Sequence, residues 1–185
     1  MDSYADKIRR PLDTKPIAPS LFAHLVLRTA NRDAMRDWYC TVLAARIVFE
    51  NDYISFITYD NEHHRVAFVN VPDLGKVSDA TMHVSHVAYT FGGLGELLST
   101  YKRLKAQGIV PYRPINHGPT VSLYYHDPDG NAVELQIDAF DKPGAAAYFD
   151  TPEFRKNPIG VAFDPDQMVR DYEAGVPEAE LVRRP

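Results

Sequence analysis

The order of predicted elements in this chain occurs twice, and this repeat limits the possible folds more than any other feature. Alternating apolar residues and one amphipathic stripe predict a strand, a helix and three strands between about residues 20 and 72. The same order returns between about residues 82 and 138. A unit of this size cannot bury its own sheet face, so two must pack together. We therefore expect an α+β fold in which two βαβββ modules pair into a curved mixed sheet that encloses a cleft, where a ligand would bind.

Three local signals predict where elements begin and end. Asn31 precedes the helical stripe of the first module and belongs to a residue type that commonly caps helices. Gly108 follows the helix of the second module, where a glycine can adopt the left-handed conformation. The sequence Asp-Pro-Asp-Gly at 127–130 is typical of a hairpin connection. The predicted strands cover about 20–29, 46–50, 53–59, 65–71, 83–91, 110–114, 120–126 and 131–137.

Composition excludes several classes of partner. The chain has 185 residues, of which 45% are hydrophobic, and this is enough for one well-cored domain. A net charge of -5 argues against a nucleic-acid or anionic-membrane partner. The single cysteine, Cys40, excludes an intrachain disulfide and fits a reducing compartment. Neither a run of about 18 apolar residues nor a secretory signal is present, so we expect a cytoplasmic protein.

The two ends of the chain differ from the repeated units. Residues 1–18 contain two prolines and no periodic pattern, and are predicted to form an N-terminal arm. The paired modules form a single predicted domain over 19–138. Prolines divide the tail, 139–185, into short pieces that are too apolar for a free tail. We expect the tail to wrap the domain or a second subunit, with a short helix near 167–174, and the protein to form a homodimer or higher homo-oligomer.

Three strand residues suggest a metal site. His24 and His86 hold the same place in the first strand of each module, and Glu134 lies in the last predicted strand. A single histidine on an apolar strand face is more often a hydrogen-bonded core residue than a ligand. An unpaired buried carboxylate, however, costs several kcal/mol. Two neutral imidazoles and one carboxylate make a facial triad that suits Fe(II) and leaves coordination positions open.

A longer motif surrounds Glu134 and resembles a known family. The spacing resembles the signature of the type I extradiol ring-cleaving dioxygenases of the vicinal oxygen chelate superfamily, and it is most similar to their one-domain members related to dihydroxybiphenyl dioxygenase. The resemblance covers about residues 20–138. The residues that match the motif are Ile115, His117, Leu123, Tyr124, Asp127, Pro128, Gly130 and Glu134.

The resemblance implies a role for each candidate. His24, His86 and Glu134 correspond to the metal ligands, which hold Fe(II) in the family and also accept Mn(II). Tyr124 corresponds to the active-site tyrosine that donates to a substrate oxygen. The remaining two are His117, which would orient or stabilise the bound substrate, and His64, which resembles the acid/base catalyst.

The implied reaction is oxidative ring cleavage. A catechol-type diol would react with dioxygen, and the ring would break next to the two hydroxyl-bearing carbons rather than between them, giving a muconic semialdehyde-type product.

Tyr124 has an alternative interpretation when the motif around it is ignored. A tyrosine in a strand is then more often a core residue whose hydroxyl has a hydrogen-bond partner.

Two other functions fit the same superfamily. One is a different metal-dependent enzyme, such as a glyoxalase or a fosfomycin-type thiol transferase. Glyoxalase-like sites usually have a second glutamate in the last strand of the first module, whereas residues 65–71 contain no carboxylate. The other is a non-catalytic small-molecule-binding protein, which would need no metal.

Overall fold

The computed structural model describes residue 16 and residues 18–75 and 83–185. Apart from residues 16 and 18, the predicted N-terminal arm lies outside the described residues. The prediction of an α+β fold built from two βαβββ modules is confirmed, and each module forms its own sheet.

The first module has one strand, one helix and three strands. Its sheet order is β1-β4-β3-β2, with β1 and β4 parallel and the other pairs antiparallel. Its elements are β1 (Leu25–Thr29), α1 (Arg32–Leu43), β2 (Arg46–Glu50), β3 (Ile54–Thr58) and β4 (Val66–Asn70).

The second module repeats this arrangement and gains one strand from the tail. Its sheet order is β5-β8-β7-β6-β9, again with the first pair parallel. Its own elements are β5 (His86–Thr90), α2 (Leu94–Lys105), β6 (Arg113–Asn116), β7 (Thr120–His126) and β8 (Ala132–Asp138). The tail supplies α3 (Lys142–Phe149), α4 (Pro152–Lys156), β9 (Val161–Ala162), α5 (Pro165–Glu173) and α6 (Glu178–Leu181).

Two predicted strands have different bounds in the structure. β1 begins at Leu25 rather than at residue 20, because its partner β4 begins only at Val66 and the preceding residues have no strand beside them. β6 begins at Arg113 rather than at residue 110. Pro111 lies within the predicted strand and has no N–H to donate, which explains why pairing starts later.

The two predicted helix boundaries have different outcomes. Gly108 has φ +78°, so the left-handed glycine after α2 is confirmed. Asn31 does lie at the N-cap position of α1, but its side chain does not cap the helix. Instead its amide donates to Asp129 Oδ1 of the second module at 3.0 Å. The prediction of side-chain capping was therefore wrong, because a tertiary hydrogen bond competes with the local one.

The helices join the two modules through one hydrophobic core. Tyr39 of α1 packs against Phe68 of β4, with ring centroids 5.2 Å apart. Its hydroxyl donates to Asp127 Oδ2 of the second module at 3.2 Å. From α2, the Arg103 guanidinium donates to the last carbonyls of α1, Thr41 O at 2.6 Å and Val42 O at 3.2 Å. Each helix therefore covers one face of its own sheet, and the two modules meet through their helices in one shared core.

The tail packs on the second module. β9 pairs with β6, and α5 lies against α2. The Tyr101 hydroxyl of α2 donates to Asp166 Oδ1 at 2.8 Å, and Met168 of α5 is buried in the core. The helix predicted near 167–174 corresponds to α5.

Across the described residues, no helix is long and apolar enough to cross a membrane. The cytoplasmic location stays a prediction.

The Tyr39–Asp127 bond gives a test of how the modules are joined. Tyr39→Phe removes a buried hydrogen bond at almost constant volume, so we expect the free energy of unfolding to fall by about 1 kcal/mol in urea denaturation. Tyr53, whose side chain is exposed, is the control: Tyr53→Phe should change stability by less than about 0.5 kcal/mol. Equal effects of the two variants would show that the bond does not stabilise the fold.

Candidate metal centre

Glu134 is a buried carboxylate on a sheet face that the helices do not cover. β8 lies between β5 and β7, so Glu134 is directly opposite Ala88 on one side and Tyr124 on the other. Only 5% of its side chain is exposed. His86 projects from β5 two residues before Ala88, and its Nε2 lies 3.0 Å from Glu134 Oε2. An imidazole and a carboxylate therefore meet at one point of the second sheet.

Tyr124 and His117 border the same carboxylate. Burial, and then the charge of Glu134, raise the pKa of the Tyr124 phenol, so it stays a hydrogen-bond donor at neutral pH. Tyr124 Oη lies 3.0 Å from His117 Nε2, which is itself 4.0 Å from Glu134 Oε1. Burial lowers the pKa of His117 and favours the neutral imidazole. These contacts place four of the six predicted site residues in one cluster.

His24 and His64 form a separate pair on the first module. His24 precedes β1 and His64 precedes β4, and because these strands are parallel neighbours the two rings lie 4.3 Å apart. His64 stacks on Phe56 of β3 at 4.5 Å and 15°. Burial, followed by the neighbouring His24 and His63, lowers the pKa of His64. The adjacent His63 side chain is 69% exposed.

One chain does not bring the three predicted ligands together. Among the described residues, no group of three histidine, cysteine, aspartate or glutamate side chains is close enough to hold a metal ion. His86 and Glu134 make one half of the predicted set, and His24 lies beside His64 on the other module. The ligand assignment therefore stays a prediction.

The second-module residues fit a divalent cation on chemical grounds. Imidazole nitrogen and carboxylate oxygen are donors that iron and manganese both accept. A carboxylate with 5% exposure is costly without a compensating positive charge, and a bound cation supplies that charge.

Three contributors to these clusters were not predicted. Phe56 stacks on His64, and the alternation of β3 would have placed it on that face. The Arg113 guanidinium lies 5.8 Å from the centre of the Tyr124 ring, directly opposite it on β6. The Ile159 carbonyl oxygen accepts a hydrogen bond from His117 Nδ1. A backbone carbonyl has no sequence signature, so this last contact had no signal of its own.

Comparison with known proteins agrees with this geometry. Residues 21–135 match the model of the glyoxalase/bleomycin resistance protein/dioxygenase superfamily. The chain belongs to this superfamily. The predicted family is thereby confirmed, and the match covers both modules but not the tail.

Two relatives of this superfamily member are similar over most of their length. The chain is 52% identical over 158 residues to biphenyl-2,3-diol 1,2-dioxygenase 2 of Rhodococcus globerulus, covering 84% of this chain and 83% of the relative. It is 46% identical over 171 residues to biphenyl-2,3-diol 1,2-dioxygenase 3 of the same organism, covering 91% and 90%. Among solved structures, lactoylglutathione lyase of Agrobacterium tumefaciens superposes with a TM-score of 0.53 at 19% identity, covering 64% of this chain and 94% of that one. The last likeness establishes the fold alone.

Replacing Glu134 tests the second-module ligand. A neutral amide is a far poorer ligand for a divalent ion, so Glu134→Gln should bind Fe(II) roughly tenfold or more weakly, measured by elemental analysis after anaerobic loading. Glu173→Gln, which changes an exposed carboxylate paired with Lys102, should leave the iron content unchanged. An unchanged iron content in Glu134→Gln would remove Glu134 from the ligand set.

Proposed function

We propose that this superfamily member cleaves the ring of a catechol-type diol beside its two hydroxyl groups, using Fe(II) and dioxygen. The observation that carries the proposal is the 52% identity, over 84% of this chain, to a protein named biphenyl-2,3-diol 1,2-dioxygenase. The cluster of Glu134, His86, Tyr124 and His117 supports it independently, because it supplies the donors that such a reaction needs. Both oxygen atoms of dioxygen enter the product, and one ring carbon–carbon bond breaks.

We assign the metal to Glu134, His86 and His24. Bound iron would supply Lewis acidity for the vicinal oxygens of the diol and redox chemistry for dioxygen. Mn(II) accepts the same donors. Proton transfer and the orientation of the substrate would depend on side chains of the protein itself.

His64 is the proposed acid/base residue. Its partly buried ring lies against His24, so it is beside the metal position and shielded by Phe56. A neutral imidazole there can take a proton from a diol hydroxyl and return it to the departing oxygen.

Tyr124 and His117 are the proposed substrate-orienting pair. The Tyr124 phenol remains protonated and donates to a substrate oxygen. His117 fixes the position of that phenol through the 3.0 Å contact.

The strand register supports a dioxygenase over a glyoxalase. In the second sheet, Ala88, Glu134 and Tyr124 lie in one cross-strand row. The equivalent row of the first sheet contains Val26, Ala67 and Phe56. Ala67 therefore occupies the position that corresponds to Glu134 by the repeat. A second carboxylate ligand, as glyoxalase-like sites usually have, is replaced by a methyl group.

The divided ligand set leads to a proposal about assembly. His24 and His64 lie on the open face of one sheet, and His86 and Glu134 lie on the open face of the other. In a dimer with twofold symmetry, the first-module face of one copy can meet the second-module face of its partner. Two identical sites result, each with His24 from one copy and His86 and Glu134 from the other.

Exposed apolar residues on the first sheet support this dimer. Val26 and Phe49 lie in the same cross-strand row as Phe56, and each is 48% exposed in the single chain. Exposed apolar side chains clustered on one face commonly mark a protein interface. A second copy is the partner that also completes the ligand set.

The function is tested by loading the protein with Fe(II) without oxygen and then assaying a panel of small diols in air. We expect oxygen uptake equal to diol consumed and a yellow ring-opened product from vicinal diols only. Iron-loaded protein that consumes no oxygen with any vicinal diol would contradict the proposal.

The role of His64 is tested by replacing its imidazole. His64→Ala should retain bound iron but lower turnover by roughly 100-fold, the usual scale for loss of an acid/base group. Glu173→Gln, which changes an exposed carboxylate paired with Lys102, is the control and should have near wild-type turnover. Full activity of the His64 variant would exclude the assigned role.

The assembly is tested with two substitutions on one strand. Ile47 and Phe49 are both 48% exposed, but the register places them on opposite faces of β2. Phe49→Asp should weaken the dimer by about tenfold or more in analytical ultracentrifugation and lower iron content with it. Ile47→Asp should do neither. Wild-type protein that binds iron as a monomer would contradict the shared site.

A further inference from the structure

The turn that carries His117 is held by the C-terminal tail. Asn116 Nδ2 donates to Val182 O at 2.9 Å, and Arg184 Nη1 donates to His117 O at 3.4 Å. The His117 ring contacts Ile159 O through Nδ1. All three partners lie beyond residue 135, where the superfamily match ends. The tail therefore reaches a candidate active-site residue from outside the shared domain.

A tight turn at residues 157–160 sets the position of the Ile159 carbonyl. Asn157 Oδ1 accepts from the Ile159 N–H at 3.1 Å and from the Gly160 N–H at 3.0 Å. Asn157 Nδ2 donates to Gly160 O at 2.9 Å. One side chain thus makes three bonds to the backbone of the turn, which limits the directions in which the Ile159 carbonyl can point.

Gly160 allows this turn to approach the strand. Its φ is +108°, a conformation that other residues rarely adopt. A Cβ at this position would lie 2.4 Å from Asn116 O and 2.8 Å from His117 Cα. Directly after it, β9 pairs with Ile115 and Asn116. A larger residue at 160 would have to push the tail away from His117.

The carbonyl contact determines which ring nitrogen of His117 carries the proton. A carbonyl oxygen only accepts hydrogen bonds, so Nδ1 must be the donor. In a neutral imidazole Nε2 is then an acceptor, so in the protein without substrate the Tyr124 hydroxyl 3.0 Å away donates to it, and its one proton turns to the substrate oxygen only when a diol is bound. The carbonyl on one side of the ring thereby fixes the direction of the hydrogen bond on the other side.

We propose that the turn at residues 157–160 is a positioning element for the active site, in which the Ile159 carbonyl keeps His117 in the Nδ1–H tautomer with Nε2 facing the Tyr124 hydroxyl. Asn157 and Gly160 act through Ile159 and do not contact the reacting atoms. The tautomer follows from the contacts alone, whereas its effect on turnover rests on the proposed function. A purely structural role would instead attach the tail without affecting the ring.

The first experiment observes the tautomer directly in metal-free protein. Hydrogen–nitrogen correlation spectra of protein with isotope-labelled histidine distinguish a protonated Nδ1 from a protonated Nε2, and loss of signals in His117→Gln assigns the residue. We expect protonated Nδ1 in the wild type and a mixture of tautomers in Gly160→Ala and Asn157→Ala. Asn157→Asp, which keeps the acceptor oxygen, should retain more of the Nδ1–H form than Asn157→Ala does.

Gly175→Ala is the matched control. Gly175 also has positive φ, +84°, but a Cβ there meets nothing within 4 Å, so this variant has the backbone strain without the collision at His117. It should leave the tautomer and turnover unchanged. With iron and diol supplied, Gly160→Ala should lower kcat by about 10- to 100-fold, the scale of a slightly misplaced catalytic group, with a smaller change in KM.

Clear outcomes would overturn the inference. A protonated Nε2 in the wild type would do so, and so would an Nδ1–H form and kcat that persist in both Gly160→Ala and Asn157→Ala. If Gly160→Ala fails to fold, Asn157→Ala and its Asp counterpart supply the comparison. A wild-type Nδ1–H signal in protein that cleaves no diol would reject the proposed function and leave the tautomer assignment intact.

Discussion

A carboxylate buried on the open face of a β-sheet is the constraint around which this structure is organised. Glu134 lies on an interior strand of its sheet with 5% of its side chain exposed, and such a group needs compensation by donors or a cation. His86 and Tyr124 are placed beside it by the parallel pairing of β5 and the antiparallel pairing of β7. The helices then pack on the opposite side of the sheet, which leaves the face that carries Glu134 open for substrate or a second chain.

The two modules share a scaffold but differ in chemistry. By register, Ala67 and Phe56 of the first sheet correspond to Glu134 and Tyr124 of the second. Only the first position of each module, His24 or His86, keeps a ligand-type residue. The first sheet therefore supplies a histidine pair and an apolar aromatic wall, whereas the second supplies the carboxylate and the phenol. A site built from both faces would therefore combine the histidine pair of one module with the carboxylate and the phenol of the other.

Sequence patterns predicted the modules and the contents of the second-module cluster. The family resemblance predicted Tyr124 and Glu134 as members of one site, and they lie directly opposite each other because β7 and β8 pair in simple register. The alternation of residues along a strand shows which side chains share a face of the sheet, but not what packs on that face. It therefore could not predict that His24 and His86 lie apart. The hydrogen bond of the Asn31 side chain has no local signal either, since its partner Asp129 lies in the other module. The contact between His117 and the Ile159 carbonyl could not be predicted either, because every residue has a backbone carbonyl and no sequence pattern distinguishes this one.

Mixing two inactive variants tests the shared site most directly. His24→Ala and Glu134→Gln chains should each be inactive as pure dimers. In an equal mixture allowed to exchange subunits, half of the dimers are mixed, and each of these has one intact site if His24 and Glu134 come from different copies. We expect recovery of about a quarter of wild-type diol cleavage. No recovery, with subunit exchange verified by mass, would contradict a site built from two chains.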